Sequence, residues 1–306
     1  METYQDKNSP LYEGLPFMKI RGETITYPCV AELKFDGEFQ YVITKDNKVY
    51  LVNKREHGRI RVGMTCTNVK LPDNSVFIGE LFYGAGKDFY EFARHKLTDD
   101  LNLALFGVLR LNGEDVWKTW KYYEGRKYLE SLPQEAFSAH TTIVPKFVLQ
   151  SEEDFNKAFS KVTSNSFEGL VIKGLLSSYI DGETKEWVKR KFEDDSDLAI
   201  CGFQTGTKRA KNLSLLLGHS INGQIVPFVH CGGGLTNEQK DAFLKTLTPH
   251  VKGKIKDDYI VTPKFVVRVK HNGVIRNPDG SPNSLRHPRF ITVREDKSIN
   301  EVDEIK

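Results

Sequence analysis

Two apolar runs flank a polar break early in the chain: Glu38-Phe39-Gln40-Tyr41-Val42-Ile43-Thr44, then Lys45-Asp46-Asn47-Lys48, then Val49-Tyr50-Leu51-Val52-Asn53. Aromatic and β-branched residues around so short a break predict an antiparallel hairpin. Just upstream, Val30-Ala31-Glu32-Leu33-Lys34 is an apolar run closed by a lysine and followed by Phe35-Asp36-Gly37. It predicts a strand whose last residue projects its amine into a pocket at a turn. Similar runs predict strands over 76–82, 103–111, 169–173 and 187–191. Helical periodicity predicts helices over 118–130 and 152–162, the second with Ser151 and Asp154 as a capping pair. Residues 1–29 carry Pro10, Pro16 and Pro28 and little periodicity, so they read as an arm lying on the first domain.

The acidic run Glu193-Asp194-Asp195-Ser196-Asp197 reads as a boundary between a domain over 1–193 and one over 194–306. Beyond it, short strands are predicted over 198–203, 213–219, 224–230 and 265–269. A helix over 237–247 opens on a capping box of Thr236 and Gln239. Strands interrupted by helices, without regular β-α-β alternation, place the first domain in the α+β class with an antiparallel sheet. About five short strands and one helix fit a small OB-fold β-barrel for the second.

Composition narrows the class. With 306 residues, 39% hydrophobic and 28% charged, the chain can bury a sizeable core. Its start lacks an apolar core of signal-peptide length and no stretch is long enough to span a bilayer, so a cytoplasmic protein without membrane contact is expected; a nuclear or virus-associated setting stays open. Cys29, Cys66, Cys201 and Cys231 lie far apart, which argues against a zinc ribbon and makes reduced thiols the default. The formal charge is only +3, but 17 Lys+Arg stand against 13 Asp+Glu from Asp194 onward, so the positive excess sits in the C-terminal third.

The candidate chemistry starts at Lys34. An amine attacks only when unprotonated, and burial or neighbouring cations such as Lys173, Lys189 and Lys191 favour that form. In 187–191 the strand period of two puts Lys189 and Lys191 on one face, as a phosphate clamp requires. Glu168 and Lys173 are five apart, so a bend beside Gly169 is needed if both serve one pocket. Glu80, between apolar neighbours, needs a partner, catalytic or structural.

Lys34-Phe35-Asp36-Gly37 resembles the K-x-D-G motif of covalent nucleotidyltransferases, and the later strings resemble, in order, the motifs of ATP-dependent DNA ligases. These are Lys54-Arg55, Phe77-Ile78-Gly79-Glu80-Leu81, Phe106-Gly107-Val108-Leu109, Phe167-Glu168-Gly169-Leu170-Val171-Ile172-Lys173, Trp187-Val188-Lys189-Arg190-Lys191, and a closing string over 284–297 with R-x-P-R-F and R-x-D-K elements. The resemblance covers nearly the whole chain from Glu32 to Lys297. It implies a lysyl-AMP intermediate on Lys34, transfer of AMP to a 5′-phosphate in nicked double-stranded DNA, and displacement of AMP by a 3′-hydroxyl. Asp36 would orient or deprotonate the reacting groups, Glu32 would read adenine, Arg55 would lie near the ribose and Phe106 would stack on the base. Glu80 and Glu168 would hold Mg²⁺, with Mn²⁺ as its substitute. Lys173, Lys189 and Lys191 would stabilise the phosphates, and Arg294 and Lys297 would meet the ATP β- and γ-phosphates. Lys208, Arg209 and Lys211, on a barrel loop, are candidates for gripping DNA; a solvated loop is the rival account. An RNA ligase, a capping-type nucleotidyltransferase using the same lysine and an inactive nucleic-acid-binding relative are the alternatives. A monomer is expected. The chain departs from the family at Phe39, where most DNA ligases have an arginine; either Arg59 or Arg61 substitutes, or the step it serves is weakened.

Overall fold

The structure is a computed structural model that describes residues 1–86, 89–165, 167–205, 213–277 and 279–305. The chain forms two compact units, Met1–Lys191 and Phe192–Lys306. In chain order the first contains β1 (Glu2–Gln5), β2 (Met18–Gly22), β3 (Cys29–Lys34), β4 (Glu38–Lys45), β5 (Lys48–Val52), β6 (Arg59–Val62), β7 (Ser75–Tyr83), α1 (Phe89–His95), β8 (Leu101–Arg110), α2 (Tyr122–Ser131), β9 (Thr141–Ile143), β10 (Lys146–Leu149), α3 (Glu152–Ser164), β11 (Gly169–Gly174) and β12 (Gly182–Lys191). Two sheets result, with strand orders β1-β6-β5-β4-β7-β8-β9 and β10-β3-β11-β12-β2.

The β4–β5 hairpin forms where expected. Asp46 and Asn47 both take positive φ, 53° and 57°, which suits the tight turn between twisted strands. Alternation then divides the side chains between two apolar clusters. Val42, Leu51, Phe77 and Leu81 pack in one, while Tyr41, Ile43, Val52, Val76 and Ile78 pack in the other. The strands therefore read as continuous apolar runs because both faces are covered.

The predicted N-terminal arm is instead part of the sheets. β1 pairs antiparallel with β6, and β2 runs parallel to β12. β1 is exposed throughout and so carries no core-facing alternation, while β2 alternates in burial but spans only five residues. The helix expected from 118 starts at Tyr122, after a 3₁₀ turn over Val116–Lys118. Lys121 is held out of helical geometry by a bridge to Ser178. α3 and its Ser151 cap match expectation, with Ser151 Oγ accepting from the Asp154 amide at 3.3 Å.

The second unit contains β13 (Asp194–Thr205), β14 (Leu213–Ile221), β15 (Gln224–Cys231), α4 (Asn237–Leu247), β16 (Val251–Ile255), β17 (Asp258–Val261), β18 (Val266–His271), β19 (Val274–Arg276), β20 (Pro282–Leu285) and β21 (Arg289–Val293). Its main sheet has the order β15-β14-β13-β17-β16, with β18 pairing β13 and β21. Leu198, Ile200, Leu215, Leu217, Val267 and Phe290 fill its core, and the Thr236–Gln239 capping box opens α4 as predicted. The α+β class and the OB-type barrel stand, with more strands than the five expected. The acidic run expected to mark the boundary lies just past the division between the units, which falls between Lys191 and Phe192. From Asp194 it is strand, because Asp197 turns inward and is held by Arg268 at 2.9 Å.

Two glycines allow backbones to meet beside the lysine strand. A Cβ at Gly37 would lie 2.1 Å from the Leu81 carbonyl oxygen, and one at Gly169, whose φ is +147°, would lie 2.0 Å from that of Arg190. Gly169→Ala should therefore cost at least about 2 kcal/mol in chemical denaturation, because it meets both a forbidden φ and a rigid carbonyl. Gly125→Ala, inside α2 with nothing within 4 Å of the new methyl, is the control and should gain up to about 1 kcal/mol.

Candidate active site

Three neighbouring strands bring the predicted side chains together by register. β11 pairs antiparallel with both β3 and β12, which aligns Lys34 with Gly169 and Lys191, Glu32 with Val171 and Lys189, and Val30 with Lys173 and Trp187. The period of two puts these rows on one face, while Ala31, Leu33, Leu170, Ile172 and Val188 pack into an apolar cluster. The charged face borders a cavity of about 430 Å³ whose wall includes Lys34, Glu32, Glu80, Phe106, Lys173 and Lys189.

Lys34 closes β3, and its ammonium donates to Glu168. Glu168 also meets Lys191 Nζ at 2.7 Å. Glu168 precedes β11, and the bend at Gly169 lets it reach both lysines while Lys173 still lines the cavity. Burial alone would raise the Glu168 carboxyl; Lys34 and Lys191 overcome it and hold it below the usual carboxylate range. Lys189 is pulled below the usual lysine range by the enclosing cavity wall and then by the positive neighbours Lys34, Lys191 and Lys54.

Lys173 lines the cavity and is paired deep in the sheet. Its ammonium lies 2.5 Å from Glu32, both side chains are 2% exposed, and the rings of Trp187, Phe106 and Tyr122 stand 4.3, 5.1 and 5.1 Å away. Burial lowers its pKa, opposed by Glu32. Glu32 accepts in addition from Tyr122 Oη at 2.7 Å and Arg126 Nη1 at 3.0 Å. Three donors therefore occupy a carboxylate with about four acceptor positions, leaving little capacity for adenine. Tyr122 and Arg126 did not stand out in the sequence; their spacing of four on α2, which puts them on one helix face, was the available signal.

Glu80 lies on the cavity wall with its pKa pushed up to about 7 by burial, and further by Glu168, Asp36 and Glu38, against the opposing field of Lys34. Asp36 is buried beside it, its amide donating to the Gly86 carbonyl at 2.9 Å. Phe106 lines the cavity rather than lying wholly in the core. Arg55 is not part of that wall: its Nε donates to the Lys7 carbonyl at 3.1 Å, and Lys54 and His57 line the cavity instead. Phe39 makes its stretch of wall aromatic, packing edge-on against Phe17 at 5.7 Å and Tyr41 at 4.8 Å. Arg59 and Arg61 are both engaged by Glu38, at 3.1 and 2.8 Å, with Arg61 fully buried.

Among the described residues no group of three His, Cys, Asp or Glu is arranged to hold a metal ion. Glu80 and Glu168 nevertheless suit magnesium, which binds one or two carboxylates and completes its shell with water and phosphate oxygens. A divalent cation there would offset the burial, and the carboxylates beside it, that raise Glu80. In the second unit Arg294 and Lys297 lie 2.6 and 2.7 Å from Asp197. Arg268, then Lys297, hold the Asp197 carboxyl far below its ordinary value. Lys208, Arg209 and Lys211 lie outside the described residues.

The family model described as the ATP-dependent DNA ligase domain matches residues 19–191, and that of the ATP-dependent DNA ligase C-terminal region matches 208–297. A DNA ligase of Thermococcus onnurineus is 35% identical over 217 residues, covering 67% of this chain and 37% of the relative. One of Thermococcus fumicolans is 32% identical over 213 residues, covering 67% and 38%. The chain thus spans less than two-fifths of the length of these relatives. Among solved structures, a minimal-scaffold Lig E DNA ligase matches with a TM-score of 0.65 and 18% identity over 92% of this chain and 99% of its own. A mycobacterial DNA ligase D complexed with ATP matches at 0.51 and 20%, over 95% and 98%. At such identities the likeness concerns the fold.

The raised Glu80 sets a pH dependence. The folded state holds its proton up to about pH 7 while the unfolded chain releases it near the ordinary carboxylate value of 4.5, so this residue's contribution falls as pH rises through that window. Glu80→Gln removes the titration. Its stability relative to wild type should therefore increase between about pH 5 and about pH 8; a difference in denaturation midpoint that is constant with pH would refute the assignment.

Proposed function

Because this chain belongs to the ATP-dependent DNA ligase family, we propose that it is an ATP-dependent ligase that seals nicks in duplex DNA, acting as a cytoplasmic monomer. Among the described residues no helix is long and apolar enough to cross a membrane. The observation that carries the reading is Lys34 on the wall of a cavity shared with Phe106 and Lys189, its ammonium held by Glu168, which also meets Lys191.

The Lys34 ammonium first gives up a proton and the free amine attacks the α-phosphorus of ATP; a P–N bond forms, pyrophosphate leaves and the nitrogen's second proton passes to solvent. AMP then passes to the 5′-phosphate of the nick and frees the lysine, and the 3′-hydroxyl displaces AMP to form the phosphodiester. Glu168, hydrogen-bonded to the amine, fixes its direction, and Asp36 supports the turn that presents it. Lys189 and Lys191 stabilise charge on the phosphates. Phe106 offers an aromatic face to the base. Glu80 and Glu168 would hold magnesium or manganese, which supplies charge neutralisation on the phosphates. Arg294 and Lys297 orient the pyrophosphate in the first step. An RNA strand is the competing substrate, and paired DNA and RNA nicks separate the two.

Incubation with α-labelled ATP and magnesium, followed by denaturing electrophoresis, should give labelled wild-type protein and none for Lys34→Ala or Lys34→Arg, since a guanidinium stays protonated. Label on either variant would remove Lys34 as nucleophile. Arg294→Ala and Lys297→Ala leave Asp197 paired with Arg268, so the fold should persist. Both should lower self-adenylation by at least about tenfold in line with loss of one charge-stabilising donor, and should spare sealing of a pre-adenylated nick. Equal losses in the two assays would place these residues in the sealing steps as well.

A further inference from the structure

The β13–β14 ladder ends at Ala199 and Gly218, short of Asp197, whereas β13 goes on pairing with β18 as far as Asp194. On the β14 side the backbone of Asp197 would therefore lack a ladder partner, at the residue whose buried carboxylate receives Arg268, Arg294 and Lys297. The segment after the R-x-D-K string fills that gap. The Asp303 amide donates to the Asp197 carbonyl at 2.9 Å, and the Asp197 amide donates to Asp303 Oδ2 at 2.6 Å. The Asp303 carbonyl accepts in turn from the Ser220 amide of β14 at 2.9 Å, so Asp303 bridges the two strands where they part.

The segment is anchored on both sides of this bridge. Ser298 and Glu301 form a capping box around a 3₁₀ turn, and the buried Val302 packs with Ala199, Cys201, Leu216 and Val266. Past the bridge the Ile305 amide donates to His219 Nδ1 at 3.3 Å. In the ladder with β18, Asp197 lies directly opposite Arg268, and both its backbone groups turn to Asp303 instead. A cross-strand pair of that kind brings its side chains close, and Arg268 meets the carboxylate through two bonds at 2.9 Å. Arg294 and Lys297 reach the same carboxylate from the string that Asp303 follows. A shift of the Asp197 backbone therefore moves the acceptor that sets where all three cations point.

We propose that Asp303 is a positioning residue for the first step: by tying the Asp197 backbone to β14, it fixes the carboxylate that aims Arg294 and Lys297. The proposal rests on the ligase reading, in which those two cations orient the pyrophosphate as it leaves. What the Asp303 side chain supplies is an acceptor for the Asp197 amide, so Asn, whose carboxamide oxygen also accepts, can replace it. Ala cannot, and the Asp197 amide then loses its partner. The buried Val302 and both backbone bonds of residue 303 remain in either variant, which keeps the segment docked.

Asp303→Ala, Asp303→Asn and, as a control for losing a carboxylate from the same segment, the exposed Glu304→Ala are compared with wild type in the full chain, well below the unfolding temperature. Loss of the one hydrogen bond should slow labelling by α-labelled ATP at saturating nucleotide about fivefold in Asp303→Ala. Sealing of a pre-adenylated nick should stay within about twofold of wild type, and Asp303→Asn and Glu304→Ala should match wild type in both reactions. Asp303→Ala should add nothing in an Arg294→Ala/Lys297→Ala background, because it acts through those side chains. Competitive acetylation read by mass spectrometry reports the placement without any activity: Lys297 should react at least about threefold faster in Asp303→Ala, and in that variant alone. A merely structural aspartate would slow both reactions together, and would do so again in the double-variant background. Unchanged acetylation of Lys297, equal losses in the two reactions, or failure of Asn to restore labelling would overturn the proposal. Faster acetylation of Lys297 in Asp303→Ala, with Arg294→Ala/Lys297→Ala labelled as fast as wild type, would remove the first-step reading of the two cations and leave their placement by Asp303 standing.

Discussion

Glu32 and Lys173 face each other across adjacent strands at 2.5 Å, both almost wholly out of water, and the charged face of the sheet is built on that pair. A lone buried charge costs several kcal/mol, so the Lys173 ammonium depends on Glu32 beside it, while Glu32 also meets Arg126 at 3.0 Å. Tyr122 and Arg126 from α2 complete the acceptor positions of Glu32, which ties the helix to the sheet beneath the cavity. The caging rings of Trp187, Phe106 and Tyr122 serve the cation in turn. One ion pair, with Tyr122 and Arg126 added to it, thus ties the strands and the helix together beneath the cavity.

Two residues further along the strand the arrangement loosens. Lys34 also has a carboxylate partner, but its side chain is 19% exposed, and Glu168 divides itself between Lys34 and Lys191. A shared, partly hydrated partner is exchanged for a phosphate at far less cost than the buried one. The sequence places two lysines and two glutamates of similar appearance in these strands. Depth in the sheet separates the fully buried pair, Glu32 and Lys173, from the partly hydrated pair, Lys34 and Glu168.

The second unit solves a related problem differently. Asp197 is 2% exposed and meets Arg268, Arg294 and Lys297, so one buried carboxylate gathers three cations whose mutual repulsion would otherwise spread them. Arg294 also reaches Asp296 at 2.6 Å, within the same R-x-D-K string. The basic groups of that string are thereby held in a defined geometry on the barrel rather than left as mobile surface charge.

The sequence by itself determined the family, the α+β and barrel classes, the early hairpin, both capped helices and the place of Lys34 at the end of a strand, because these depend on local periodicity, turn chemistry and the spacing of short strings. It also stated the condition that Glu168 and Lys173 could meet one cavity only through a bend at Gly169. Tertiary structure alone decided what the charges do. Whether Lys173 faces a phosphate or Glu32 depends on which strand lies beside β11, and whether Glu80 is relieved by Lys34 or burdened by Glu168, Asp36 and Glu38 depends on distances across strands far apart in the chain. The exposed edge strands and the inward turn of Asp197 were hidden for the same reason: partners more than 50 residues distant set them, and no local pattern encodes a partner of that kind.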